Sequence, residues 1–245
     1  MIAGLFHKGS GLGNQLFRYV TARTVALDKG LDFAMAYPEN FKGGGFMKLE
    51  MGLVPEREFR LFTEKKVVDE LGVDIRGYDP EINFIQDNTI IDGEFQDERY
   101  WGHRLKEIDE WLRVDEIEIP DDVCVINFRG GEYSVYPDLY LTQEYWDEAI
   151  ALMKEEYPEI TFEVHTDDPQ EARKFFPDFE IISDIGVNWC VIRHAKHLIL
   201  SNSSFAILPA LLSPAVDIIA PRYWARRNTK TWALPQNYYK RFLYI

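Results

Sequence analysis

The stretch Leu198–Leu212 combines the patterns of a buried strand, a polar turn and an apolar helix. It reads L-I-L-S-N-S-S-F-A-I-L-P-A-L-L, in which a short apolar run, four small polar residues and a second apolar run follow one another. The first run is typical of a buried strand, and the second predicts an apolar helix. Because Ser and Asn favour helix N-caps, the polar residues predict the turn between the two. Backbone N–H groups at such a turn can bind an anion, and an ordinary capped helix is the alternative.

Strand and helix patterns alternate along the whole chain, as they do in α/β proteins with parallel sheets. The first series consists of a strand over Ile2–Phe6, a glycine-rich turn, a helix over Asn14–Lys29 and a strand over Asp32–Ala36. A strongly apolar strand over Val123–Phe128 begins a second series. We therefore predict two Rossmann-like halves around a cleft. The remaining predicted elements are helices over 64–71, 97–112, 143–156, 168–176 and 187–195, and strands over 82–91, 161–165, 180–182 and 217–220.

A proline followed by an acidic pair, at 119–122, predicts the boundary between the halves. We assign 1–119 to an N-terminal Rossmann-like domain, 120–222 to a C-terminal domain, and 223–245 to a tail that packs back on the body. From 218 to 245 the chain carries six basic side chains, no acidic ones and many aromatic ones. Weak contact between this basic tail and a membrane surface is an alternative.

The overall composition limits the class of partner and the compartment. The net charge of −14 disfavours nucleic acid as a partner. Cys124 and Cys190 lie far apart and lack metal-ligand spacing, which is typical of a reducing compartment. The uncharged run 198–216 is long enough for a membrane span, but its Ser/Asn cluster and two prolines argue against a transmembrane segment. With no secretory pattern after Met1, we predict a soluble, cytoplasmic protein.

The glycine-rich turn after the first strand invites comparison with dinucleotide-binding proteins. Their fingerprint is G-x-G-x-x-G, followed by a carboxylate at the end of the second strand. Here Asn14 stands at the position of the last glycine, and Asp32 begins the second strand rather than ending it. The match is weak, and a turn that packs close to another group is the alternative reading of these glycines.

Two charged residues follow predicted strands of the second half. Arg129 comes directly after Val123–Phe128 and precedes two glycines, and Asp167 follows the strand over 161–165. Open α/β sheets bind ligands at the carboxyl ends of their strands. Arg129 therefore suits a phosphate, and Asp167 suits the N–H groups of a purine ring. A surface arginine in a turn and a plain helix cap are the respective alternatives.

Several segments resemble, in order, the motifs of the α-1,2-fucosyltransferases (glycosyltransferase family 11). G-L-G-N-Q-L-F-R-Y at 11–19 resembles the family's opening, and T-D-D at 166–168 resembles its S-D-D segment. The run 190–205 resembles the C-x-H-x-I-x-S-N-S-T/S-F-S block, and I-A-P-R-Y-W at 219–224 resembles I-A-P-x-x-W. The family's H-x-R-R-G-D block reads N-F-R-G-G-E at 127–132, which keeps Arg129 and places Gly130 at the second arginine.

This resemblance implies a GT-B-like fold and an inverting transfer of L-fucose from GDP-fucose to a hydroxyl of a glycan acceptor. It implies an acceptor side in 1–119 and a nucleotide-sugar side in 120–222. No cofactor beyond the donor substrate is expected, and no metal, since the sequence contains no D-x-D triplet. A transferase for another GDP-sugar, a dinucleotide oxidoreductase and a non-catalytic glycan- or nucleotide-binding relative are the alternatives.

The same resemblance, combined with the charge that develops in such a reaction, assigns the site residues. Arg129 stabilises the leaving diphosphate, Glu132 (or else Asp138) acts as general base, and Asn14 orients the acceptor or the sugar. Arg193 and Arg222 are alternatives for the guanidinium missing at position 130. The residues assigned to donor binding are Gly11, Gly13, Asn127, Asp167, Asn202, Ser203, Ser204 and Phe205.

Overall fold

A computed structural model describes residues 1–68, 70, 77–225 and 238–245. The chain divides into two units, Met1–Val114 with Leu234–Tyr239, and Asp115–Ala233 with Lys240–Ile245. The division therefore comes after Val114, before the predicted proline turn. The predicted tail is shared between the units, and its residues 226–237 lie outside the described residues.

The first unit is built on a four-stranded parallel sheet. Its strands are in the order β2-β1-β4-β3, so the chain changes its winding direction between β1 and β4. The carboxyl ends of those two strands form the topological switch point, where such sheets bind ligands. The elements are β1 (Ile2–Leu5), α1 (Leu12–Asp28), β2 (Phe33–Ala36), β3 (Arg60–Thr63), β4 (Thr89–Asp92) and α2 (Leu105–Trp111), with 3-10 turns at 38–40, 80–84, 98–100 and 102–104.

The strongly periodic start of the chain folds as its sequence predicts. Leu16, Phe17 and Val20 of α1 are fully buried, which places the apolar side of the helix in the core. Gly30 follows the C-terminal cap with φ of +63°, a conformation that glycine adopts without strain. The predicted helix and its stop at Gly30 are confirmed.

Of three predictions for the rest of the first unit, one is wrong and two are right only in their second part. Of the helix predicted over 64–71, residues 64–68 and 70 are described and none is helical. Glu64 instead lies beside the end of β4, where its carboxylate accepts the N–H groups of Glu94 and Phe95 at 2.7 and 3.1 Å. The strand predicted over 82–91 begins only at Thr89, because Asp79 caps a 3-10 turn over 80–84. Two 3-10 turns replace the first half of the helix predicted over 97–112.

The second unit contains a six-stranded parallel sheet in the order β10-β9-β8-β5-β6-β7. One of its two middle strands, β5, is buried at every residue. The chain changes winding direction between β5 and β8, which makes their carboxyl ends the switch point. The elements are β5 (Val123–Phe128), a 3-10 turn (Gly131–Val135), α3 (Gln143–Glu156), β6 (Thr161–Thr166), α4 (Pro169–Phe175), β7 (Glu180–Ile182), α5 (Ile185–His194), β8 (His197–Leu200), α6 (Ser204–Leu212), β9 (Asp217–Ala220) and β10 (Leu243–Tyr244).

The predicted α/β class, with a Rossmann-like parallel sheet in each half, is confirmed, and the cleft stays a prediction. The last residue of β5 shows how packing positions the site. The Phe128 ring lies 5.5, 5.2 and 5.7 Å from the rings of Trp146, Phe175 and Phe176 (centroid distances). Aromatic contacts of this kind fix the end of the strand, and so they fix the start of the loop that carries Arg129.

Candidate functional site

The loops that leave β5 and β8 start from one hydrogen-bonded pair. The Ser201 N–H donates to the Asn127 carbonyl oxygen at 2.9 Å, and the Ser201 hydroxyl donates to Asn127 Oδ1 at 3.0 Å. Both residues are buried. One loop leads to Arg129 and the other leads to α6, so both segments leave the same edge of the sheet at its switch point.

Arg129 is held at this edge by two carboxylates and a ring. Its Nη1 lies 2.5 Å from Asp167 Oδ2, and its Nη2 lies 3.3 Å from Glu132 Oε1. The guanidinium carbon lies 5.3 Å from the Tyr133 ring centroid. Burial raises the pKa of the Tyr133 phenol, so this neighbour stays neutral. About a third of the Arg129 and Asp167 side chains is exposed, which leaves the cation open to an anion from solvent.

Asp167 contacts the loop after β5 through both of its oxygens. While Oδ2 pairs with Arg129, Oδ1 accepts the N–H of Gly130 at 3.0 Å. The following residue, Asp168, is the N-cap of α4 and accepts the Glu171 N–H at 3.0 Å. The helix-cap alternative therefore describes Asp168, whereas Asp167 is free of that role.

The glycines after Arg129 are required by close packing. A Cβ at Gly130 would lie 2.9 Å from the Cβ of Asp168 and 3.1 Å from that of Glu171. A Cβ at Gly131, where φ is +38°, would lie 2.5 Å from Asp167 Oδ2. An arginine at position 130 therefore does not fit beside this α4, which is the physical reason for the departure from the H-x-R-R-G-D block.

The α6 N-terminus presents backbone donors. Ser203 occupies the N-cap position, but its side chain makes no capping hydrogen bond, contrary to the predicted use of the polar run. Within the described residues, the N–H groups of Ser204 and Phe205 have no acceptor. The first turn of α6 also contains no acidic residue. This end of the helix therefore has the free N–H groups and the positive dipole that bind anions.

Asn202 fixes the turn before α6. Its Nδ2 donates to the carbonyl oxygens of Leu139 and Trp224, at 2.8 and 2.6 Å. Only 3% of Asn202 is exposed. The amide therefore connects the turn to the segment before α3 and to the segment after β9, and it is a structural support for the turn that precedes α6.

The remaining residues predicted for the site are found in both units. Glu132 is 70% exposed and is oriented toward Arg129, and Asp138 is exposed. Arg222 donates to the Tyr244 carbonyl oxygen at 3.3 Å, beyond the end of β9. Asn14 belongs to the first unit, where its Oδ1 accepts from Gln96 Nε2 at 3.0 Å. Gly11 and Gly13 are also in the first unit, at the N-cap and in the first turn of α1.

A polar pair in the first unit has no counterpart in the motif analysis. His7 Nε2 lies 2.7 Å from Asp92 Oδ1, at the carboxyl ends of β1 and β4. Arg18 strengthens the same edge by donating to Gly93 O at 2.7 Å and to Ser10 Oγ at 2.9 Å. Burial lowers the pKa of the Arg18 guanidinium. His7 and Asp92 come together because β1 pairs with β4, and no local sequence pattern predicts that pairing.

No group of three or more His, Cys, Asp or Glu side chains in 1–68, 70, 77–225 and 238–245 is arranged to hold a metal ion. In the same residues, no helix combines the length and the apolar character needed to cross a bilayer.

Comparison with known proteins places the fold. No family model matches the chain, and no curated protein does. A mutant of Arabidopsis thaliana FUT1 in complex with GDP aligns with a TM-score of 0.51 and 9% identity, over 89% of this chain and 69% of that one. The protein has a GT-B fold. E. coli heptosyltransferase WaaC with ADP (TM-score 0.47, 13% identity, 100% of this chain and 92% of that one) and fucosyltransferase NodZ from Bradyrhizobium (0.45, 13%, 86% and 93%) are also similar.

The predicted GT-B-like fold is thus confirmed, and the structures that resemble this chain are glycosyltransferases. Membership of glycosyltransferase family 11 stays a prediction. The arrangement at the switch point of the second sheet does not depend on these comparisons. There the Arg129 guanidinium and the uncapped N-terminus of α6 follow two neighbouring strands, β5 and β8, at the same edge of the sheet.

Proposed function

We propose that the protein is an inverting glycosyltransferase that moves L-fucose from GDP-fucose to a hydroxyl of a glycan acceptor, as α-1,2-fucosyltransferases do. One observation carries the proposal. At the switch point of the second sheet, Arg129 and the free N–H groups of Ser204 and Phe205 follow adjacent strands. A nucleotide diphosphate needs this combination of a fixed cation and backbone donors.

The chemistry of the leaving group explains why these groups accelerate transfer. When the bond between the sugar C1 and the phosphate oxygen breaks, its electron pair stays on GDP, and the sugar becomes oxocarbenium-like. In this proposal Arg129 and the α6 N-terminus bind the diphosphate and stabilise the negative charge that develops on it. The acceptor oxygen then bonds to C1 from the opposite face, which inverts that centre.

Donor binding couples Arg129 to Asp167 in this proposal. Without a ligand, Asp167 Oδ2 neutralises Arg129 at 2.5 Å. A diphosphate that takes over the guanidinium frees this oxygen, which then accepts the N–H groups of the guanine. Two points support GDP as the nucleotide of the donor: the resemblance to the fucosyltransferase motifs, and the GDP bound in the Arabidopsis FUT1 structure.

The first prediction concerns the nucleotide. We expect GDP to bind to the protein and NAD not to, because the dinucleotide fingerprint is broken at Asn14, whereas Arg129 and α6 are suited to a diphosphate. Isothermal titration calorimetry with each ligand measures this. Tighter binding of NAD than of GDP would favour an oxidoreductase and contradict the proposal.

The second prediction concerns metals. We expect transfer to continue in the presence of EDTA, since Arg129 and the helix N-terminus can stabilise the leaving diphosphate without a cation. The measurement compares initial rates with EDTA and with added Mg²⁺ or Mn²⁺. Loss of activity in EDTA that either metal restores would show that a metal shares this role.

A further inference from the structure

A buried histidine and a buried asparagine meet at the end of the strand that leads to Asp167. His165 is the last residue but one of β6, and Asn188 belongs to α5, the helix that follows β7. His165 is completely buried, and only 5% of Asn188 is exposed. Because neither side chain is open to solvent, both act through the protein groups that they contact.

The Asn188 amide holds two groups at the end of β6. Its Nδ2 donates to the Thr166 carbonyl oxygen at 3.0 Å, and its Oδ1 lies 3.0 Å from His165 Nδ1. A carbonyl oxygen only accepts, so the amide has one orientation, and Oδ1 accepts the proton of Nδ1. The His165 ring therefore orients the amide, and the amide holds the carbonyl group of Thr166.

These hydrogen bonds hold the backbone of Asp167. The Thr166 carbonyl group belongs to the peptide bond that leads to Asp167. The N–H of the next peptide bond, that of Asp168, donates to Thr166 Oγ1 at 2.9 Å. Both peptide bonds of Asp167 are thus hydrogen-bonded, and because peptide units are planar, they fix the direction in which its side chain leaves the backbone. The Asn188 amide supplies one of these two constraints.

The buried pair costs the fold stability. Burial lowers the pKa of His165, so the ring is neutral and carries its one proton on Nδ1. Among the described residues, Nε2 has no hydrogen-bond partner, and the Glu163 carboxylate, whose Oε2 is 3.7 Å away, has no proton to donate. A buried polar atom without a partner costs free energy that an apolar side chain would not. This cost favours a positioning role over a purely structural one.

We propose that His165 and Asn188 are positioning residues that give the donor site its preference for guanine. The inference rests on the proposed function, in which Asp167 accepts the N–H groups of the guanine. Guanine has two adjacent donors, N1–H and the 2-amino group, and hypoxanthine has only the first. A carboxylate held in one direction distinguishes the two bases, because the base without a 2-amino group leaves one of its hydrogen bonds unmade.

The test compares the Kd of GDP with the Kd of inosine diphosphate (IDP), whose base is hypoxanthine, by isothermal titration calorimetry. Both ligands carry the same diphosphate, so the ratio of the two Kd values reports on the base alone. Asn188→Leu removes both hydrogen bonds of the amide, and His165→Phe keeps a ring but removes the donor that orients the amide. Asp184→Ala is the matched control, because Asp184 caps the same helix by accepting two backbone N–H groups at 2.9 Å.

We expect the wild type to bind GDP about 10–100-fold more tightly than IDP, the value of one hydrogen bond to a charged group. Asn188→Leu should lower this ratio to about threefold or less by weakening GDP binding alone. His165→Phe should lower the ratio in the same direction, and the double variant should have the ratio of Asn188→Leu, because His165 acts through Asn188. Asp184→Ala should lower the melting temperature and keep the wild-type ratio.

The outcomes separate this inference from the function on which it rests. A purely structural role predicts that both nucleotides lose affinity together, so an Asn188→Leu protein that keeps the wild-type ratio overturns the inference. If that variant melts too early for calorimetry, the ratio of His165→Phe decides in the same way. Should Asp167→Ala lose the preference for GDP while the variants of the buried pair retain it, the inference fails and the proposed function stands. A wild type without the preference, or an Asp167→Ala protein that keeps it, contradicts both the proposed guanine contact and this inference.

Discussion

Arg129→Ala is expected to lower kcat for sugar transfer by about 10²–10³-fold, the range found when a donor aimed at developing charge is removed. The structure gives the reason, since Arg129 is the cation at the end of β5, and packing excludes a second arginine from position 130. The measurement is kcat and KM for GDP-fucose. Arg129→Lys should recover only part of the activity, because an ammonium lacks the planar fork that binds two phosphate oxygens.

This loss should occur in a folded protein. The ion pair between Arg129 and Asp167 is about one-third exposed on each side, and pairs of this kind contribute roughly 0–1 kcal/mol to stability. We therefore expect the melting temperature of Arg129→Ala to stay close to that of the wild type. A variant that melts too early to be assayed would assign Arg129 a structural role.

Arg222 supplies the matched control for this experiment. It also lies just beyond a strand of the second sheet, but its guanidinium donates to the Tyr244 carbonyl oxygen and it is exposed. Arg222→Ala should keep near-normal turnover. If Arg222→Ala loses transfer and Arg129→Ala does not, the diphosphate is held at the end of β9, and the role given to Arg129 is wrong.

The elements that the sequence predicts best are those whose patterns are local. β5, β7 and β9 begin and end where predicted, because each is a short apolar run bounded by turn residues. Among the described residues of 64–91, the sequence predicts the structure poorly, because contacts distant in sequence decide it. Glu64 binds backbone N–H groups some 30 residues away, beyond β4, and this outweighs its local helix preference.

In the candidate functional residues, too, local patterns are predicted from the sequence and contacts between distant residues are not. The rule that ligands bind at strand ends places Arg129 and Asp167 in the site from the sequence alone, and the structure brings them to 2.5 Å. The partnership of His7 and Asp92 depends on a pairing of strands separated by more than 80 residues, which no motif encodes. From the sequence alone, Gly130 is interpreted as the loss of an arginine. The structure adds that a Cβ at this position would lie too close to the Cβ of Asp168.

The second large effect concerns stability and the shape of the donor site. Asn202→Ala should lower the free energy of unfolding by about 1–3 kcal/mol, the cost of an unpaired buried group, because it leaves the buried Trp224 carbonyl oxygen without this donor. The part-buried Leu139 carbonyl oxygen loses the same donor. Urea denaturation measures the change. The turn that carries Ser203 and Ser204 also loses its anchor, so GDP affinity should fall in the variant that remains folded.

Two further variants separate lost hydrogen bonds from altered packing. Asn202→Asp keeps the size of the side chain but directs an acceptor at two carbonyl oxygens, so it should destabilise the protein at least as much as alanine does. Ser203→Ala, at the adjacent buried position, removes a hydroxyl that makes no capping bond and should cost less than about 1 kcal/mol. Equal losses for Ser203→Ala and Asn202→Ala would contradict the anchoring role, because the turn would then depend on its packing and not on the two amide hydrogen bonds.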